Sequence, residues 1–361
     1  MKIHENPRRQ EMNQNKKVFA VFYAILAAIF YAVNTPFSKL LLESIGPSSM
    51  AGFLYLGAGL GISILYLFNY KKEDPAQNLR KEDLPYVLGM IFLDIVAPIL
   101  LMAGISLGSA ANASLLGNFE IVATTLLAYL LFHEKVSLRL WLGIFIIALS
   151  SFILSFEGQG SLDFSYGSIL VLGATLCWGL ENNCTRKISG KSPYQIVLLK
   201  GIFSGGGALV IGKVLGEDQG PAVHIFLAMV LGFVAYGLSI FFYVRAQRQL
   251  GAAKTSAYYS IAPFVAAFLA FVVNGESLES NFILALVIMV LGSLLVVYDT
   301  LLKEHSHSHT HVVAFIQDGH RESRVIRHNH PHKHFLNEKN HGHSHSFSKE
   351  DLGKAQRFEA R

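Results

Sequence analysis

Residues 18–41 read VFAVFYAILAAIFYAVNTPFSKLL, and the fold of the chain turns on how that stretch is read. Its first part is apolar for long enough to cross a hydrocarbon core of about 30 Å. Its last part, FYAVNTPFSKLL from Phe30, turns polar and closes on a base. CWGLENNCTRKI, beginning at Cys177, repeats that order: an aromatic, a small residue, polar residues, then a base. One apolar run near an N-terminus can be a signal peptide. This one has no small-residue cleavage site, which argues for a retained helix. Its recurrence roughly 145 residues on, in a chain of 361, marks a duplicated membrane unit.

Composition agrees. The chain is 52% hydrophobic and 15% charged, against about 25% charged in soluble domains. Ten of the 30 Lys and Arg lie after Leu302 and five lie before Val18, leaving apolar blocks between. Ten spans are expected, starting near Val18, Met50, Leu84, Ala113, Leu138, Tyr166, Ile196, Val223, Ala257 and Phe282. Each is a helix, because only helices and closed barrels satisfy their backbone in lipid. Cys177 and Cys184 are two turns apart on one such helix, too far for a disulfide.

Charge sets the orientation. With the N-terminus inside, the inner loops collect Lys71, Lys72, Arg80, Lys81, Lys135, Arg139, Arg186, Lys187, Lys191, Arg245, Arg248 and Lys254, and the outer loops only Lys39 and Lys213. The positive-inside rule then puts both termini in the cytoplasm. The net charge of +5 marks membrane sidedness rather than nucleic-acid binding. A prokaryotic cytoplasmic membrane is the expected location.

More of the repeat follows. GAGLG at Gly57 matches GIFSG at Gly201, LAYLLFHEKVS matches LAFVVNGESLE so that Glu134 aligns with Glu276, and LGSAANAS echoes LGAAKTSA. Five spans per half is an odd number, so the halves lie upside down relative to each other. Inverted repeats are a construction of secondary transporters, with the site between halves near the midplane. Two five-span halves, the Gly-Ala connections before the fourth and ninth spans, and the segment from Pro263 to Glu276 resemble the EamA branch of the drug/metabolite transporter superfamily. That resemblance implies an all-α integral membrane protein whose ten transmembrane helices form two inverted five-helix repeats around a central cavity. It divides the chain into a cytoplasmic tail (1–17), a first repeat (18–156), a linker (157–164), a second repeat (165–302) and a cytoplasmic tail (303–361). Where the second half has Pro263, the first has Glu120.

Charges inside the spans are costly, about 2.5–3.5 kcal/mol each on the mildest scale, and so face an interior or one another. Asp94, Glu120, Glu181 and Lys200 lie there, with Arg245 nearer an inner end. Asn34, Asn182 and Asn183 add amides at matching points of the repeat. These eight residues are the candidate ion or solute pathway. Mutual neutralisation of the acids by Lys200 and Arg245 is the competing explanation. Gly57, Gly61, Gly201 and Gly205 form GxxxG pairs that permit close helix contact. Glu134 and Glu276, at helix ends, are read as cap or loop anchors, and His133 and His224 as interfacial residues.

Twelve of the 15 histidines follow Lys303, eleven of them in three clusters. His305, His307, His309 and His311 alternate; so do His328, His330, His332 and His334, and then His341, His343 and His345. The tail is polar and without apolar periodicity, so disorder is expected. Histidine-rich tracts are metal-binding candidates, and neutral imidazole suits zinc, nickel, cobalt or copper.

Three functions fit these features. The leading one is a secondary transporter exporting a divalent transition-metal ion in exchange for protons. The second is an exporter of amino acids or small metabolites, with Lys200 or Arg245 binding a carboxylate and the tail buffering or sensing metal. The third is a membrane-embedded metal sensor. No required cofactor and no nucleic-acid partner are expected; the lipid bilayer, a small solute, protons and a second copy of the chain are. An enzyme is disfavoured, since no nucleophile–base constellation or phosphate-cradling loop is found.

Overall fold

The computed structural model describes residues 7–69, 75–132, 136–156, 165–188, 190–250, 255, 258–317, 320–335 and 356–357. Two compact units divide the chain, Met1–Asp299 and Thr300–Arg361. The expected linker, with His133, Glu134, Lys135 and the His341, His343 and His345 cluster, lies outside the described residues.

The first unit is built of helices. In order they are α1 (Pro7–Ala32), α2 (Asn34–Leu41), α3 (Pro47–Asn69), α4 (Leu84–Leu107), α5 (Ala110–Leu116), α6 (Phe119–Phe132), α7 (Leu138–Leu154), α8 (Tyr166–Lys187), α9 (Pro193–Leu199), α10 (Gly205–Val214), α11 (Ala222–Gly232), α12 (Ser239–Leu250), α13 (Ala262–Asn274) and α14 (Ser280–Leu301). Two π-helical stretches, Lys200–Ser204 and Phe233–Leu238, join α9 to α10 and α11 to α12.

Seven helical stretches among the described residues are long and apolar enough to cross a membrane: Val18–Leu41, Pro47–Asn69, Pro75–Leu107, Ala110–Leu130, Pro193–Val214, Ala222–Ala246 and Ser280–Asp299. Leu138–Leu154 and Ala262–Asn274 are apolar but shorter. Between them, α8 is long enough but more polar, ending in ENNCTRK. Large apolar side chains such as Phe22, Ile64, Phe92, Phe145, Phe226, Phe268 and Leu291 are exposed around the bundle. So much uncovered apolar surface suits lipid rather than water.

Helix ends follow local chemistry. Ser109 and Ser137 cap α5 and α7, accepting hydrogen bonds from the backbone N–H groups of Asn112 and Leu140. Beyond α13, Gly275 takes φ +64°, the left-handed conformation that closes a helix at least cost.

Packing exchanges the two halves. First-half α1 lies on second-half α12, as second-half α8 lies on first-half α4. Likewise α6 packs on α8, as α13 packs on α1. Each pair becomes the other when the first and sixth, third and eighth, and fourth and ninth helical stretches trade places. The expected close glycine contacts are present. A Cβ on Gly57 would lie 2.0 Å from the Met229 carbonyl oxygen, and one on Gly201 would lie 2.3 Å from Gly59 Cα. Both positions therefore require the missing side chain.

In the second unit the described residues 302–317, 320–335 and 356–357 are strands. Strands β1 (Leu302–Gln317) and β2 (His320–Phe335) run antiparallel, and β3 (Gln356–Arg357) adds to β2 at Arg324 and Val325.

Candidate functional site

Four chain irregularities and one proline surround the middle of the first unit. The first helical stretch breaks between α1 and α2, and Asn34 opens the new helix. The fourth breaks at Gly117–Asn118, just before Glu120. Lys200 begins one π-helical stretch, and Tyr236 lies inside the other. Pro98 sits inside α4, where its ring cannot donate to the carbonyl four residues back, that of Asp94. Loosened backbone at membrane depth is tolerated where it lines a protein interior.

Lys200 is the hub. Its Nζ lies 2.7 Å from Glu181 Oε1 and 3.1 Å from Asp94 Oδ2. The three side chains come from α4, α8 and the first π-helical stretch, so the ammonium ties both repeats together. Asp94 is 1% exposed and Glu181 3%, so both carboxylates are buried. Tyr55 on α3 donates to Asp94 Oδ1 at 3.2 Å, and Thr185 donates to Glu181 Oε1. Asp94 Oδ2 accepts no directed hydrogen bond; its contact with Lys200 is one of charge.

Glu120 adjoins this triad. Asn182 Nδ2 donates to Glu120 Oε1 at 2.6 Å and lies 3.2 Å from Thr124 Oγ1. Glu120 is within electrostatic reach of Glu181 and Lys200. Two carboxylates therefore pair with one ammonium and a third lies within electrostatic reach, an excess of negative charge when all are ionised.

Aromatic rings complete the site. Tyr31 meets Tyr236 edge-on at 5.9 Å and Tyr259 at 5.8 Å, while Tyr55 lies 5.2 Å from Tyr236. Interplanar angles of 89°, 45° and 40° mean that none of these pairs stacks face to face. Asn34 Nδ2 donates to the Tyr236 hydroxyl at 3.0 Å and Ser38 donates to Asn34 Oδ1, while Tyr259 and Ser239 share a hydrogen bond at 3.3 Å. The hydroxyls of Tyr55, Tyr236 and Tyr259 are thus anchored to protein. Tyrosines 31 and 55 belong to the first repeat, 236 and 259 to the second.

Of the eight pathway candidates, Asn34, Asp94, Glu120, Glu181, Asn182 and Lys200 meet here. Asn183 does not: it is buried and donates back to the Gly179 carbonyl of its own helix at 2.8 Å. Arg245 is exposed on α12, its guanidinium 5.2 Å from the Phe241 ring and 6.0 Å from Tyr23. It takes no part in neutralising the buried acids, so the ion-pair account rests on Lys200 alone. The four tyrosines were not anticipated, because in an apolar span a tyrosine reads as ordinary packing. Among the described residues no group of three or more His, Cys, Asp or Glu side chains comes together to hold a metal ion.

Two other glutamates act at one end of the bundle. Glu276 accepts from the N–H groups of Ala110 and Ala111 at 2.7 and 2.9 Å and from Ser109 Oγ at 2.7 Å. It caps α5 and offsets the positive end of that helix, as its expected anchoring role requires. Opposite, Lys39 Nζ donates to the carbonyls of Ile105 and Gly108, each at 2.7 Å, closing α4. Glu217 serves α3 in the same way, through Ser48 Oγ and the Ser49 N–H at 2.8 and 3.0 Å. Nearby, His224 and Ser44 are hydrogen-bonded.

The profile of the EamA-like transporter family matches residues 18–156 and 165–298, the two halves separately. A protein of Methanothermobacter thermautotrophicus named "Uncharacterized transporter" is 26% identical over 279 residues, 72% of this chain and 81% of that protein. The "Uncharacterized transporter YyaM" of Bacillus subtilis is 22% identical, over 74% of this chain and 90% of its own. A transporter of Clostridium kluyveri is 23% identical, over 76% and 91%. One solved crystal structure shares the fold with a TM-score of 0.57 at 12% identity, covering 76% of this chain and 94% of that one.

Proposed function

The chain belongs to the EamA-like transporter family, and from that premise we propose that it is a secondary transporter of a small, positively charged organic solute. The membrane and a small solute come with the family. The cationic class is our reading, and one observation carries it: two carboxylates pair with a single ammonium, with a third carboxylate, Glu120, and four tyrosine rings beside them. Aromatic faces attract cations by about 0.5–2 kcal/mol per ring, and the surplus carboxylate supplies the counter-charge.

The working architecture proposed is ten spans in two inverted repeats, both termini cytoplasmic. In support, the helix pairings exchange under repeat swapping, and such inverted repeats give two equivalent end states around one site. Glu120 is the proposed proton carrier, since Asn182 holds it without a cation bonded to it. Export of the solute against inward proton flow is the proposed cycle. Lys200 holds Asp94 and Glu181 when the site is empty, and the solute's cationic head competes for those carboxylates when it enters.

A divalent metal ion as membrane cargo is the second reading, favoured by the excess of negative charge. Against it, the Lys200 ammonium fills the place between the two carboxylates that an ion would need. Purified protein in liposomes with a trapped pH dye separates the readings. Benzyltrimethylammonium, phenylalanine and zinc are added one at a time, with and without Glu120→Gln. Proton movement driven by the ammonium alone, and lost in the variant, is the expected result. A response to zinc alone would replace the organic cation by the metal, and silence to all three would reject the organic-cation reading.

A further inference from the structure

Both ends of the first unit are tied by the same set of contacts. At one end, the backbone N–H of Gly46, the residue before Pro47 at the start of α3, donates to the Asp218 carbonyl at 2.8 Å. At the other, the N–H of Ser192, the residue before Pro193 at the start of α9, donates to the Gln77 carbonyl at 2.7 Å. Two positions past each proline the agreement continues. The Ser49 N–H donates to Glu217 Oε2 at 3.0 Å, and Ser49 Oγ accepts from Gln219 Nε2 at 2.7 Å. Gln195 Oε1 accepts from the Leu79 N–H at 2.9 Å, and Gln195 Nε2 donates to Asn78 Oδ1 at 2.7 Å. A side-chain pair closes each clasp: Ser44 with His224, and Lys191 with Asp83 at 3.0 Å.

The first clasp joins the start of α3 to the segment entering α11, and the second joins the start of α9 to the segment entering α4. These are the second and eighth, and the seventh and third, helical stretches, so exchanging the repeats turns each clasp into the other. Behind the first clasp, α3 and α11 are so close that a Cβ on Gly232 would lie 1.9 Å from the Leu54 carbonyl oxygen. Behind the second, Ser204 Oγ donates to the Ile91 carbonyl of α4 at 3.2 Å. In an inverted-repeat transporter, exchanging the halves also turns one end state into the other. A contact whose mirror image is already made at the opposite end is therefore common to both states.

We propose that the second, third, seventh and eighth helical stretches form a frame that stays clasped at both ends throughout the transport cycle, and that access opens at seams beside it. A seam between α2 and α13 shows the contrast. Asn274, the last residue of α13, donates from Nδ2 to the Pro36 carbonyl of α2 at 3.0 Å. The alignment of Glu134 with Glu276 puts Phe132 at the mirror position of Asn274, and a phenylalanine side chain has no donor. This contact therefore belongs to one end alone. Asn274 Oδ1 is also buried without a hydrogen-bond partner among the described residues, a cost that contact with water on opening would remove. The inference rests on the inverted-repeat architecture proposed above and not on the identity of the solute.

Dipolar electron spin resonance tests it, on the full-length protein in lipid nanodiscs with Cys177 and Cys184 replaced by serine and no solute added. Nitroxide pairs go on exposed neighbours of each contact: Glu43 with Val223 at the first clasp, Glu82 with Gly190 at the second, and Phe37 with Ser277 at the seam. A single distance is expected for each clasp pair, and a second, longer one for the seam pair. Asn274→Ala removes the hydrogen bond to Pro36 and should raise the long-to-short ratio at the seam about fivefold, with both clasp distances unshifted. Two distances at either clasp would overturn the frame, and a seam ratio unmoved by Asn274→Ala would overturn the seam. Failure of the organic-cation reading is seen in the liposome assay and leaves these distances as they are, so the two are read separately.

Discussion

Lys200 holds two acids that have nowhere else to go, and replacing it by methionine is the perturbation that tests the site most directly. In Lys200→Met the chain keeps a side chain of similar length and loses the charge. Asp94 and Glu181 then remain, 1% and 3% exposed, each keeping only its hydroxyl donor, Tyr55 or Thr185. Removing one partner of a buried ion pair costs about 3–5 kcal/mol, because the residual charge is uncompensated. At roughly 2 °C per kcal/mol for a large chain, the apparent melting temperature should fall by about 6–10 °C. The assay needs no added label: the free, half-buried Cys177 and Cys184 react with a thiol-sensitive dye as the protein opens. A second variant separates charge from shape. Lys200→Met combined with Asp94→Asn and Glu181→Gln removes the charges together and should recover most of the loss. A single variant that melts with the parent, or a triple variant that falls as far as the single, would refute the charge argument.

Three further outcomes follow from the geometry. Glu120→Gln should abolish proton-linked flux in liposomes, whereas Arg245→Gln, altering an exposed charge outside the cluster, should change it by no more than about fivefold. Glu276→Ala strands two N–H groups at the start of α5 and should cost about 1–2 kcal/mol, read as a lower melting temperature in the same thiol assay. Gly57→Ala drives a methyl into the Met229 carbonyl and should destabilise by about 3 kcal/mol or more. Gly206→Ala, with nothing within 4 Å, should be neutral or up to about 1 kcal/mol stabilising; the yield of monodisperse protein distinguishes the two.

The legible and illegible parts of the site divide on a simple basis. A charge in an apolar span is visible in one dimension, because its cost does not depend on its neighbours. Asp94, Glu120, Glu181 and Lys200 were legible for that reason. Partnership was not: Arg245 looked as able to neutralise an acid as Lys200, until the fold placed it on the outside of α12. Asn183 stands beside Asn182 in sequence yet points its amide back along its own helix, since adjacent residues on a helix do not share a face. The tyrosines gave no signal, because rings are equally at home in packing and in binding.

The sequence by itself determined that the chain is a membrane protein made of two related halves. Span length and apolar runs report the thickness of the bilayer, and a duplication leaves its mark in residue order. Only the tertiary structure decided which charges meet. Asp94, Glu181 and Lys200 are separated by up to 106 positions along the chain and come within 3.1 Å because three helices converge. That convergence is set by backbone packing at glycines such as Gly57 and Gly201 and by the breaks and π-helical stretches that turn side chains inward. Hydropathy records how far each segment goes into lipid; it carries no term for the rotation of a helix about its own axis, and that rotation chooses the partners.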